Sequence, residues 1–352
     1  MMNFHNYLSE HIKKHPSVMP QDIIKFCYQA AFGAEHLLSD VAAARRYFDA
    51  EFDATSPHMG ELVECLSNDI ARVDLGSWKQ MGLPKEWLFH MFVASTNFGK
   101  GQISDFEEHL SCVDGVLHEA LNFGSEEWHR YLDQYKANGI GAVHHSEQYR
   151  NAEKPAYRLV DRRFLKMLDL LRCLSQIKKD GVKVIAIDGR AASGKTTLAE
   201  LLSSVLNAET IHMDDFFLPP ELRTRERLEE AGGNIHYERF CEEVIPFVGK
   251  NESFSYGVFD CSQMALNGKR TISASEWRIV EGSYSHHPKF GDYADFKVFC
   301  TVSGEEQMLR ILKRNGERMA ELFRTRWIPM EETYFSAFKI SDGSDSVFGS
   351  VG

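Results

Sequence analysis

The chain has 352 residues, 43% hydrophobic and 26% charged, with a formal net charge of -11. The length predicts two domains, and the composition predicts a soluble globular protein with sizeable cores. An acidic balance argues against general binding to nucleic acid or an anionic membrane surface, whose phosphates it would repel.

The first half reads as helical. Apolar residues recur at helical spacing in Pro20–Phe32, with Pro20 suited to a first turn and Gly33 to an end. Further helices are expected over Val41–Phe52, Leu62–Val73, Trp87–Thr96, Phe106–Asn122 and Glu126–Lys136. Gly139–His145 reads as a loop. Asp161–Lys179 reads as one long amphipathic helix, with Phe164, Met167, Leu168, Leu171 and Leu174 on one face. The domain division is placed at its end, giving residues 1–178 and 179–352. Seven cysteines lie scattered with no C-x-x-C pair, as expected of reduced thiols in the cytoplasm. Met1–Lys14 lacks the apolar core of a signal peptide, and no run is long enough to cross a membrane.

The second half alternates strand and helix signals, which predicts a mostly parallel sheet covered on both faces. Strands are expected at Val182–Asp188, Glu209–Met213, Phe254–Asp260, Arg278–Glu281 and Phe296–Val302. Helices are expected at Leu198–Leu206, Glu238–Val248, Gly304–Arg314 and Met330–Phe338, and a loose tail or weak edge strand after Ser341.

Between the first strand and its helix lies Gly189-Arg190-Ala191-Ala192-Ser193-Gly194-Lys195-Thr196-Thr197, with the spacing G-x-x-x-x-G-K-[ST] of a phosphate-binding loop. Gly189 and Gly194 permit turns that a side chain would obstruct. The loop N–H groups then form an anion nest at a helix start, where the dipole also favours phosphate. Lys195 would reach the β- and γ-phosphates and the Thr196 hydroxyl would hold Mg²⁺.

Four stretches follow in order. Asp214, in His212-Met-Asp-Asp-Phe-Phe, stands at a strand end, where a carboxylate can take a proton from a hydroxyl. Glu281 ends an apolar strand, the place of a magnesium carboxylate. Arg310, Lys313 and Arg314 share one helix face and could neutralise a transferring phosphate. Arg324–Phe335 reads as packing plus surface charge.

Together with Gly232–Phe240 and Val280–Pro288, these stretches resemble the uridine kinase-like branch of P-loop kinases, which includes phosphoribulokinase and bacterial pantothenate kinase. The resemblance covers about Lys178–Phe348. It implies an α/β P-loop kinase domain with a mostly parallel sheet; the helical pattern of the first half makes the expected N-terminal domain all-α. It implies ATP and Mg²⁺ as cofactors, with Gly189–Thr197 on the phosphates and Thr196 and Glu281 on the metal. Asp214 would be the base, and Arg310 and Arg314 would belong to a lid. Asn234, His236 and Tyr237, with Phe259 and Asp260 nearby, would line the acceptor site. The implied reaction is phosphoryl transfer from ATP to a hydroxyl of a small molecule, with no nucleic-acid or membrane partner and with a homo-oligomer left open.

Two positions depart from the family pattern. His236 stands where uridine kinases carry an Asp on the ribose hydroxyls, and Arg314-Asn315 stands where the lid reads Arg-Asp. An imidazole cannot accept two hydroxyls as a carboxylate does, so an anionic acceptor suits His236 better. Pantothenate or a sugar phosphate is the alternative acceptor, and a nucleotide-gated regulatory protein is the alternative class. The N-terminal half resembles a helical domain of uncharacterised bacterial proteins. There Glu35, His36, His144, His145 and Glu147 are candidates for a metal or phosphate site, and His145, Tyr157 and Arg158 for an anionic regulator.

Overall fold

The computed structural model describes residues 3–34, 40–98, 101–120 and 122–349. The chain divides into two compact units, residues 1–171 and 172–352.

The N-terminal unit is mostly helical, but it is not all-α. Val63–Cys65 (β1), Ile70–Asp74 (β2) and Tyr157–Asp161 (β3) form an antiparallel sheet in that order. The helix expected over Leu62–Val73 is therefore a hairpin. Its centre, Ser67-Asn68-Asp69, is turn chemistry, and the Ser67 hydroxyl accepts from the N–H groups of Asp69 and Ile70. β-branched Val63, Ile70 and Val73 then favour strands on either side. The long helix expected over Asp161–Lys179 is two short ones, Arg162–Leu165 and Leu168–Ser175, the first capped by Asp161. The helix after Phe106 stops at Ser111 and continues as 3-10 turns.

Helix Pro20–Phe32 packs as its pattern predicts, burying Ile23, Ile24, Phe26, Cys27 and Ala30. Each fully buried aliphatic side chain contributes roughly 1.5–3 kcal/mol. The unit also buries a polar network. Asp22 accepts from His145, Ser146 and the Met19 N–H, while His145 meets the Tyr157 hydroxyl. Burial, opposed by the hydrogen bond to Asp22, lowers His145 to about 4, so the imidazole folds neutral.

The C-terminal unit is built on a five-stranded parallel sheet. Lys183–Gly189 (β4) lies at its centre, flanked by Trp277–Glu281 (β8) and Phe296–Thr301 (β9). Glu209–His212 (β5) and Ser346–Gly349 (β10) are the edges, in the order β10-β9-β4-β8-β5. β8 is buried along its whole length, as expected of a strand covered on both faces. A separate antiparallel hairpin pairs Phe254–Asp260 (β6) with Ala265–Ile272 (β7), a strand the sequence pattern does not announce because β7 is largely exposed. Helix 238–248 breaks into Tyr237–Glu243 and Ile245–Val248, with Pro246 in the second. Among the described residues, no helix is long and apolar enough to cross a membrane, and all seven cysteines are unpaired.

Asp188, fully buried near the end of β4, holds this unit's working end together. One carboxyl oxygen accepts the Gly189 and Tyr284 N–H groups, and the other accepts the His286 N–H and the Tyr334 hydroxyl. Removing the carboxyl would leave several buried donors unpaired, at a cost of about 1–3 kcal/mol each. Asp188→Ala is therefore expected to destabilise the C-terminal unit by about 3 kcal/mol or more in denaturant unfolding. Asp188→Asn, which keeps one acceptor oxygen, should cost less. Equal losses in the two variants would contradict this assignment.

Candidate functional site

The carboxyl ends of β4, β5 and β8 open on a cleft of about 730 Å³, the place where open parallel sheets bind ligands. Its floor is the loop between β4 and helix Lys195–Leu206. Gly189 has φ +139 and runs so close to β9 that a Cβ there would sit 2.0 Å from the Cys300 carbonyl oxygen. Only glycine fits. Ala192 and Gly194 also have positive φ, at 56° and 96°, the alternation that turns successive N–H groups inward to make a nest. The Ser193 hydroxyl is buried at this loop with no hydrogen-bond partner.

Lys195 is buried at the first position of the helix. Its ammonium donates to the carbonyl oxygens of Gly189 and Arg190 at 2.7 and 2.9 Å, and to the Ser283 hydroxyl at 3.2 Å. The Thr196 hydroxyl lies 3.3 Å from the Glu281 carboxylate. The other oxygen of Glu281 meets His212 Nδ1 at 2.6 Å, so the imidazole from β5 orients the carboxylate from β8. These features fit a nucleoside triphosphate with a divalent cation. The loop N–H groups, Ser193, Lys195 and the helix start could donate to phosphate, and Thr196 and Glu281 could offer oxygen ligands to the cation.

Asp214 follows β5 and faces the cleft beside these groups. Its side chain is open to cleft solvent yet walled by protein. That crowding, followed by the nearby Glu281 carboxylate, raises its carboxyl above the usual range, against the pull of Lys195. The adjacent Asp215 turns away. It accepts from the Tyr256 hydroxyl and pairs with Arg270, tying β6 and β7 to the end of β5.

Arg310 and Arg314 line the same cleft from helix Gly304–Leu322. Arg310 donates to the Ala192 carbonyl at 3.3 Å, and Gln307 donates to the Ala191 carbonyl at 3.0 Å, so this helix packs onto the loop. Arg314 is held by Asn315 at 2.8 Å, the role that an Asp would have filled with a charge. The helix breaks at Gly316 (φ 77) just beyond.

Of Asn234, His236, Tyr237, Phe259 and Asp260, expected on the acceptor side, Asn234 alone lines the cleft; the Tyr284 side chain hydrogen-bonds to it. His236 does not. It caps helix Tyr237–Glu243, its Nδ1 accepting the Arg239 N–H at 3.3 Å. Tyr237 is packed between Arg227 and Lys289. Phe259 is buried, and Asp260 organises the β6–β7 turn by accepting from Ser262 and Asn267. In the N-terminal unit, Glu35 and His36 lie outside the described residues, His144 and Glu147 are exposed, and His145 is in the buried network with Tyr157. Arg158 pairs instead with Glu51.

Sequence reasoning missed the far wall. Helix Ile328–Phe338 places Glu331 against the loop, accepting the Ala191 N–H at 2.9 Å and the Ser283 hydroxyl at 2.8 Å. Burial raises the Glu331 carboxyl, opposed by Lys195. Its neighbour Glu332 pairs with Arg190. A π-helical turn, Phe323–Trp327, precedes this helix, and both of its aromatic ends line the cleft. Arg223, Cys261 and Met264 complete the lining beside Asp214. Only the acid pair after Pro329 hints at these roles, and its spacing carries no motif.

The site is thus a P-loop phosphate cradle with an acid, a metal-type carboxylate and two arginines around one cleft. No protein-family model and no curated protein matches the chain. Among solved structures it is similar to a possible uridine kinase from Bacillus stearothermophilus. That match has 23% identity and a TM-score of 0.42, over 52% of this chain and 97% of that one. A D-glycerate 3-kinase from Cryptococcus neoformans is similar at 13% identity and a TM-score of 0.34, over 49% of this chain and 86% of that one.

Glu331→Ala should loosen the loop without unfolding the unit. It removes a charge-assisted hydrogen bond of roughly 1.5 kcal/mol or more. Amide exchange at Ala191 is expected to speed up about tenfold, as measured by NMR or mass spectrometry. Unchanged exchange would show that Glu331 does not hold the loop.

Proposed function

We propose that the C-terminal unit is an ATP-dependent small-molecule kinase that transfers the γ-phosphoryl group to a hydroxyl. The observation that carries this reading is Asp214, a crowded carboxyl in the same cleft as Lys195, Thr196, Glu281, Arg310 and Arg314. A nucleotide switch needs a cradle, but it has no use for an acid aimed at an acceptor or for arginines opposite the loop.

In this reading the loop N–H groups and Lys195 bind and orient the phosphates, and Thr196 with Glu281 holds Mg²⁺, which neutralises phosphate charge. His212 keeps the Glu281 carboxylate turned toward Thr196. Asp214 takes the proton from the acceptor hydroxyl. Arg310 and Arg314 balance charge on the transferring group, and most of the rate comes from positioning and charge stabilisation. Phe323 and Trp327 offer the apolar surface that a nucleobase requires.

A nucleoside acceptor follows from the family resemblance alone. One observation favours an anionic acceptor instead. Arg223 lines the cleft and is fixed by its Nε donating to the Leu218 carbonyl at 2.8 Å. Burial lowers its guanidinium, and Arg326 adds repulsion, a pair of positive charges that a carboxylate or phosphate on the acceptor would relieve. His236, by contrast, is spent on its helix cap.

Two variants test the reading. Lys195→Ala should lower kcat by about 100-fold or more while the fold persists, since it removes transition-state charge stabilisation. Asp214→Asn should lower kcat far more than it weakens ATP binding. The base must be ionised, and its pKa is raised, so wild-type turnover should fall as pH drops through a value above the ordinary carboxylate pKa of about 3.9. That acid limb should vanish in Asp214→Asn. Weakened ATP binding with turnover and the acid limb intact would make Asp214 a metal or structural residue.

A further inference from the structure

The N-terminal unit carries a second cleft, of about 860 Å³, that phosphoryl transfer does not use. Its lining sets four carboxylates, Glu61, Glu64, Asp74 and Glu153, against three permanent cations, Lys14, Arg72 and Lys154, an acidic excess of one. Such a field favours a cation. His15 and Glu64 line this cleft, and the buried His11 meets them from behind, so three side chains of metal-ligand type converge.

His11 and His15 stand four residues apart at the end of helix Phe4–Lys14, on one face, with ring centroids 4.7 Å apart. Glu64 reaches them from β1. One ligand atom from each lies within 4.8 Å of the other two. Glu64 Oε1 is 2.5 Å from His11 Nδ1 and 3.3 Å from His15 Nε2. Tetrahedral bonds of about 2.0–2.1 Å put ligand atoms about 3.3 Å apart, so the second distance already fits and the first would open by roughly 1 Å.

The outer contacts have the pattern of a metal site as well. His15 turns its other ring nitrogen to Glu153 at 3.1 Å. Glu64 gives its second oxygen to Arg72 at 2.9 Å, and Gln29 holds Arg72 through both Nε and a terminal nitrogen. A carboxylate behind a ligating imidazole fixes its tautomer, and a hydrogen bond behind a ligating carboxylate fixes its direction.

We propose that His11, His15 and Glu64 bind a divalent transition-metal ion, with a coordination position left for water or for a ligand entering the cleft. Two imidazoles and a carboxylate suit zinc best. The competing occupant is the proton. His15 lies between two acids, with Nε2 3.3 Å from Glu64 and Nδ1 3.1 Å from Glu153, so an imidazolium there would satisfy the same groups.

Calorimetry on the full-length protein decides between them. The protein is first treated with chelator and then titrated with Zn²⁺ alone, with no nucleotide present. One ion per chain is expected. His15→Gln, at a half-exposed position, should weaken uptake by at least about tenfold, as should Glu64→Gln, with circular dichroism confirming that each variant is folded. His212→Ala, which removes the imidazole of the other unit's cleft, should leave uptake unchanged. Absence of uptake, uptake that a folded His15→Gln variant does not weaken, or uptake lost in His212→Ala would each overturn the proposal.

Discussion

Four donors, and among the described residues no ion pair, hold the Asp188 carboxylate. They come from the start of the phosphate loop, from the turn after β8 and from helix Ile328–Phe338. One buried group thus fixes the three segments whose mutual placement makes the cleft. Around it the loop has little freedom. Gly189 is pressed against the Cys300 carbonyl, the Ala191 N–H is taken by Glu331, and the Ala191 and Ala192 carbonyls receive Gln307 and Arg310. A cradle held on every side needs little reorganisation when phosphate enters, which is what electrostatic preorganisation requires.

The charges are divided by element. Acids come from strand ends, Asp214 after β5 and Glu281 at the tip of β8. Arginines come from helix Gly304–Leu322, and the aromatic surface comes from the π-helical turn that follows. The Glu281 carboxylate adds to the cost of ionising Asp214. Lys195 offsets this for Asp214, and His212 gives Glu281 a partner of its own. The arrangement leaves one crowded acid facing the cleft and one anchored acid beside Thr196, which suits a division between proton transfer and metal binding.

The phosphate loop was legible because its demands are local: two glycines, a lysine and a hydroxyl in fixed register between an apolar strand and a helix. Asp214, Glu281, Arg310 and Arg314 could be placed because strand ends and helix faces follow from periodicity. What stayed hidden depends on contacts distant in sequence. Glu331 reaches Ala191 across 140 residues, and no spacing rule foretells that. His236 was misplaced because a capping histidine and a ligand-facing histidine look alike in sequence. The antiparallel sheet of the N-terminal unit was missed because Leu62–Val73 has enough apolar residues to imitate a helix, and Ser67-Asn68-Asp69 had to be weighed as a turn to see otherwise. The His11–His15 pair was in plain view at helical spacing, but Glu64 and Glu153 join it only through the fold.

On the proposed function, the cleft couples a nucleotide to an acceptor hydroxyl. ADP release by the full-length protein, with Mg²⁺ and ATP, measured across nucleosides, sugars, sugar phosphates, hydroxy acids and vitamins, tests it most directly. One acceptor class is expected to accelerate ADP formation well above the rate without acceptor, with a phosphorylated product in equal amount. Slow ATP hydrolysis at one rate, whatever small molecule is added, would contradict it and would make the unit a switch.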